Sequence, residues 1–399
     1  MTDVVLNFAA PLNDEALIKQ ANVLADAFLV SFGKVLARLQ ETRSDSHPLC
    51  KYISAAARAA RPGARAWSPE IGVARGYLRA GANDAAVAQT ALLVSRLSKA
   101  GNWSAHLKSP KIFLVGGIPI SLVGDIVVEC SDDRLAIHQS AIGRNHATEF
   151  ACDDLGVWRL IAISDDGGLE TAYAPMTLAN GPAADEKFVL ALAANPNVED
   201  DVEVDEACLV DSIDPAGSEL AEYAAGQMRQ AYELVDKTLP EFSQYVRLLL
   251  RGLAAVPSVN GGRASGSSFD YPGIFTCTFP GDLDWFAETL VHEASHQYMN
   301  LLKSAFPLTQ ADDGKRYYSS IKRMYRDLGR QMIGYHAVVN IVLFRRALIE
   351  RCGSSERRVA ELGRFQSYAD EMRQELAGGT TFTEEGRVFI GELNRRLDG

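Results

Sequence analysis

The chain has no CxxC pair, no long apolar run and no excess of positive charge, and each lack removes a class of protein. Its six cysteines, Cys50, Cys130, Cys152, Cys208, Cys277 and Cys352, are scattered. That excludes a thiolate zinc site and argues for reduced buried thiols over a disulfide frame. No apolar run reaches the roughly 20 residues of a membrane span. The first residues, Met1-Thr2-Asp3-Val4-Val5, lack a basic segment followed by an apolar one, so no signal peptide is expected and the expected compartment is the cytoplasm. Lysine and arginine number 40 against 51 aspartates and glutamates, a net charge of −11. A general binder of nucleic acid or of anionic membranes needs a cationic surface and is thereby excluded. Nothing in the pattern fixes an oligomeric state.

What is present is a globular composition, 47% hydrophobic and 23% charged, in a chain of 399 residues, long enough for two or three domains. The patterning predicts an α+β protein, predominantly helical. Residues 1–109 read as an α-helical module, with Leu17, Leu24, Phe28, Phe32, Val35, Leu36 and Leu39 at helical spacing. From Lys111 the texture changes to short β-branched runs between Gly116-Gly117, Gly124 and Ser131-Asp132-Asp133, which predicts a β-rich unit over 110–185, a candidate for peptide recognition. The acidic stretch 198–206 reads as a solvated linker or an edge strand. Residues 186–399 are expected to form a helical metal-binding domain. It would hold a long helical region at about 217–254, a loop at 261–268, and a strand at 273–279 leading into the next helix.

That next helix carries the chemistry. With only seven histidines in the chain, two stand four apart with a carboxylate between them: His292, Glu293 and His296. On a helix, residues i and i+4 lie on one face, so both imidazoles can aim at one ion. Glu293 is rotated about 100° away, where a carboxylate reaches a metal-bound water or an adjacent ligand, with direct ligation left open. Leu283, Phe286, Leu290 and Ala294 support the helix, and Asp282 or Asp284 can cap it. A catalytic site needs a third protein ligand. The metzincin spacing is excluded, because Met299 and Leu302 stand where its glycine and third histidine belong. No acidic residue lies between Asp327 and Glu350, and the only later histidine is His336, which becomes the expected third ligand. Three imidazoles suit zinc or iron(II).

A cationic block follows. Lys315, Arg316, Lys322, Arg323, Arg326 and Arg330 are opposed within it only by Asp327. If the stretch is helical, Arg323, Arg326 and Arg330 share a face and can clamp a dicarboxylate. A peptidase has no need of such a clamp, whereas an oxygenase that uses 2-oxoglutarate must anchor that cosubstrate's distal carboxylate.

Three blocks together resemble the HExxH-motif peptide-modification family of ribosomal natural-product pathways. They are Ser265-Gly266-Ser267-Ser268 through Pro272-Gly273-Ile274; Ala287-Glu288-Thr289-Leu290 through His296; and Tyr317-Tyr318-Ser319-Ser320 through Arg330, Gly334 and His336. The resemblance covers about 90 residues, from roughly 260 to 350. It implies an iron(II)/2-oxoglutarate-dependent oxygenase that hydroxylates Cβ of a residue in a precursor peptide, consuming O2. Iron would be held by His292, His296 and His336, with Glu293 beside them. Arg330 would take the distal carboxylate, with Arg323 and Arg326 behind it and Ser265 or Ser267 as wall contacts. Two other readings stand beside this one. One is a zinc metallopeptidase with Glu293 as general base. The other is a non-catalytic partner of a modification complex that grips peptide by strand addition.

Overall fold

The computed structural model describes residues 2–11, 14–41, 48–60, 67–116, 118–141, 144–152, 158–164, 176–178, 188–190, 217–250, 252–257, 262–267, 272–310, 314–379 and 381–399. The acidic stretch 198–206 lies outside them. In chain order come α1 (Thr2–Ala9), α2 (Asp14–Glu41), α3 (Pro48–Ala60), α4 (Pro69–Arg79) and α5 (Asn83–Ser98). Strands β1 (Gly101–Val115), β2 (Ile118–Cys130), β3 (Arg134–Ala141), β4 (Arg144–Cys152), β5 (Trp158–Ser164), β6 (Met176–Leu178) and β7 (Phe188–Leu190) follow. Then α6 (Gly217–Thr238) and α7 (Glu241–Leu249) precede β8 (Gly252–Pro257), β9 (Ser265–Ser267) and β10 (Ile274–Phe279). The chain ends with α8 (Leu283–Ala305), β11 (Tyr317–Ser319), β12 (Met324–Arg326), α9 (Leu328–Cys352), α10 (Glu356–Ala377) and α11 (Glu384–Asp398). The protein is α+β and predominantly helical, as the patterning predicts.

Two compact units divide these elements. One comprises Met1–Leu24, Gln227–Leu250 and Gly281–Gly399; the other comprises Ala25–Gly226 and Arg251–Pro280. Helices α3, α4 and α5 and the β-rich stretch thus share one unit. Its sheet is an antiparallel meander in the order β1-β2-β3-β4-β5. The sheet begins earlier than expected, at Gly101 rather than at about 110. Lys99 takes a left-handed conformation (φ 52°) and ends α5, after which Trp103 and Leu107 alternate inward between exposed neighbours. Serine, alanine and histidine between them obscure that period in the sequence. Helix α5 is buried from Ala85 to Ser95 and packs on β1. Gln89 fixes the two together, its amide donating to the Leu114 carbonyl at 2.9 Å and accepting from the Leu114 N–H at 2.8 Å. A second sheet, β8-β10-β9, runs parallel between β8 and β10 and antiparallel between β10 and β9. Ser265–Ser267 therefore form a strand where a loop is expected, because Cys277, Thr276 and Phe275 of β10 supply the pairing.

The other unit is built around α8 and α9. Four of its helices start on a side-chain cap: Asp282, Asp327, Ser355 and Thr383 accept the N–H of Trp285, Arg330, Arg358 and Gly386 respectively. Each such cap contributes about 1 kcal/mol. Helix α9 is long and apolar enough to cross a membrane by length and composition, yet 72% of its apolar window is buried in the protein, as in a core helix. A buried ion pair joins Glu288 of α8 to Arg345 of α9, and the Arg345 guanidinium lies over the Phe365 ring of α10 at 5.3 Å. Burial pushes the Glu288 carboxyl up to about 7 despite the opposing pull of Arg345.

Candidate metal centre

The Asp282 cap sets the phase of α8, and its buried stripe, Phe286, Leu290, Ala294, Leu301 and Leu302 among others, fixes which face turns inward. One turn apart on that helix, His292 and His296 bring their Nε2 atoms to 3.0 Å, with ring centroids 4.4 Å apart at 78°. Two donors each about 2.1 Å from a metal and at right angles stand about 3.0 Å apart, so the spacing fits adjacent positions on a six-coordinate ion. The same distance also suits one ring donating an N–H to the other. Glu293 is fully buried, with Oε1 3.8 Å from His292 Nε2. Ligand atoms of His292, Glu293 and His296 all lie within 4.8 Å of one another, the one such group of histidine, cysteine or acidic residues among the described residues. Two imidazoles and a carboxylate fit iron(II) and also zinc.

Burial holds both histidines below the ordinary imidazole range, and Lys322 acts in the same direction on each. Arg326 presses further on His296. Both rings are therefore neutral donors near pH 7. Each Nδ1 is buried without a hydrogen-bond partner among the described residues, so neither ring has the outer hydrogen bond common at imidazole–metal sites.

His336 stands outside the group of three. It is fully buried in α9, and its Nε2 lies 2.9 Å from the Ala9 carbonyl and 3.1 Å from the Tyr245 hydroxyl. Burial drives its pKa down to about 3. A hydrogen-bonded chain continues behind α8: Asn340 Nδ2 donates to Ser295 Oγ at 2.9 Å, and Ser295 Oγ to the Val291 carbonyl at 2.8 Å. Tyr245 stacks on Tyr298 of α8 at 4.0 Å. His336 is thus held in α9 as a hydrogen-bonded core histidine.

The arginines do not share a helical face, because residues 317–326 form a hairpin and α9 begins only at Leu328. Arg323 sits in the turn with φ 52°, Arg326 lies in β12, and Arg330 is in the first turn of α9. Arg330 is 70% exposed and stands 3.5 Å from Asp327. Of the three, only Arg326 acts electrostatically on the histidine pair, and its Nε is buried without a hydrogen-bond partner among the described residues. Ser265 and Ser267 sit on β9 in the other compact unit.

The sequence placed Lys322 in the cationic block without a role of its own. No local signal tied it to the histidine pair, because its place depends on the hairpin. Comparison of the chain with protein-family models and with curated proteins finds no match.

Proposed function

We propose that this protein is an iron(II)- and 2-oxoglutarate-dependent oxygenase that hydroxylates Cβ of a residue in a ribosomally made peptide in the cytoplasm. The observation that carries the reading is the group of two imidazoles and one carboxylate beside Lys322 and Arg326. Two histidines and a carboxylate are the donor set of non-haem iron(II) oxygenases, which keep other positions open. His292, His296 and Glu293 would hold the metal. Iron, 2-oxoglutarate and O2 together supply the oxidant for an unactivated C–H bond, with succinate and carbon dioxide as coproducts. Arg326 binds and orients the distal carboxylate, a role moved here from Arg330, whose guanidinium is exposed and beside Asp327. A zinc peptidase would need Glu293 as a base and a third ligand from elsewhere, and among the described residues no other histidine, cysteine or acid joins the group. The intact group likewise speaks against a purely non-catalytic partner.

The test is a titration of 2-oxoglutarate into anaerobic iron(II)-loaded protein, followed by the metal-to-ligand charge-transfer absorption of a chelated keto acid. The band is expected, and Arg326→Ala should weaken 2-oxoglutarate binding at least about tenfold while Arg330→Ala leaves it unchanged. Absence of the band, together with oxygen-independent peptide cleavage by the zinc form, would give the site to a hydrolase.

The same preparations decide the third ligand. Glu293→Gln should lower iron affinity at least about tenfold, whereas His336→Gln should retain stoichiometric iron. Metal retained by the first variant and lost by the second would make His336 the ligand.

A further inference from the structure

Strands β11 and β12 form a two-stranded sheet that no other strand among the described residues joins. Their register pairs Tyr317 with Arg326, Tyr318 with Tyr325 and Ser319 with Met324. The outer edge of β11 is taken: the Tyr318 N–H donates to a Glu375 carboxylate oxygen at 3.1 Å, and the Tyr318 carbonyl accepts from Gln331 Nε2 at 2.8 Å. In an antiparallel ladder, directly opposed residues either exchange both backbone bonds or turn both groups outward. Since Tyr318 turns its groups outward, Tyr325 does the same on the other side, and β12 presents an open edge.

That edge is chemically biased. Met324 is 50% and Tyr325 66% exposed, and Lys322 and Arg323 beside them are exposed cations. Arg326 ends the strand, and Lys322 and Arg326 are the cations felt by His296. The edge is therefore a cationic strip with two apolar side chains, in a chain of net charge −11.

We propose that β12 is the peptide-docking strand: an extended segment carrying carboxylates pairs with the backbone of Tyr325 and sets its acidic side chains against Lys322 and Arg323. Backbone pairing supplies affinity without a fixed sequence, and the cations with Met324 and Tyr325 supply selectivity. That the docked segment is the hydroxylation substrate rests on the function proposed above; the docking itself does not.

The probe is a fluorescein-labelled (Thr-Glu)5 peptide, titrated with full-length metal-free protein and read by fluorescence anisotropy. It should bind at least about tenfold tighter than (Thr-Gln)5, and (Thr-Lys)5 should not bind. N-methylation of alternate peptide bonds in the probe should abolish binding, since it removes the donors for the ladder. Arg323→Glu should weaken (Thr-Glu)5 about tenfold, and Tyr325→Ala should do likewise with the thermal midpoint unchanged. Equal affinity for the N-methylated probe, or no effect of Arg323→Glu, would overturn the proposal. Equal binding of a dT10 oligonucleotide with the same Arg323 dependence would overturn it too, by making the strip a general polyanion surface. Without metal or 2-oxoglutarate present, failure here is separate from failure of the charge-transfer test.

Discussion

His292→Ala or His296→Ala is expected to lower iron(II) and zinc affinity by about 100-fold or more, measured as metal retained after anaerobic dialysis. Even residues that only orient a metal's ligands cost about 10- to 100-fold when replaced, so loss of a donor atom should cost at least that. The pH dependence has a definite sign. Metal competes with protons for the imidazoles, and burial with Lys322 and Arg326 nearby holds the histidine pKa values down. Metal affinity should therefore stay level as pH falls to 6.5 and decline only below it. A decline centred at or above 6.5 would mean that the rings are solvated and unperturbed.

Arg345→Ala should destabilise the protein by about 3–5 kcal/mol, because it strands Glu288 as a buried unpaired carboxylate between α8 and α9. The size of the loss should depend on pH. The Glu288 carboxyl is raised to about 7 from 4.5, so the native state holds a proton that the unfolded chain has released, and this group's contribution falls as pH rises from 4.5 through 7. Removing the guanidinium takes away the pull that kept the carboxyl from rising further. The variant's deficit should accordingly be small near pH 5 and largest above pH 7, as read by denaturant unfolding at each pH. In the double variant Glu288→Leu/Arg345→Ala, the deficit should shrink and lose its pH dependence. A deficit flat across pH in Arg345→Ala would mean that lost packing on Phe365, and not the stranded charge, is responsible.

Helical parts of the chain were legible because their code is local. Asp282 before an apolar stripe announced α8, and the i, i+4 histidines on it needed only helical geometry to be read as a pair. The β-rich stretch was legible in kind but not in extent, since β1 starts with Gly101-Asn102-Trp103-Ser104, where small and polar residues mask a two-residue period that only the buried face reveals. The surroundings of His336 were not legible for a similar reason. An apolar run around His336 signals burial, but whether a buried imidazole turns toward a metal or toward the Ala9 carbonyl depends on a contact between residues 327 positions apart. The basic block failed on conformation: its spacing assumed a helix, and the turn at Arg323 spreads the cations over a hairpin and a helix start. Charge was legible, its arrangement was not.

The chain's first helix completes a unit that is otherwise made last. Helix α1 packs on α8 and α11, and the carbonyl of Ala9 meets His336. During synthesis at roughly 10 residues per second, that helix must wait about half a minute for His336, and longer for α11. The other compact unit is complete once Pro280 has been made, so it can fold during that interval while α1 cannot. Phe8, buried in the finished protein, meets the Tyr298 ring at 5.0 Å, a partner made 290 residues later in the chain. Joining such distant segments costs little at equilibrium, since loop-closure entropy grows only with the logarithm of length. The cost falls on timing: the unit that carries the histidine pair cannot close around α1 until α9 and α11 have been made.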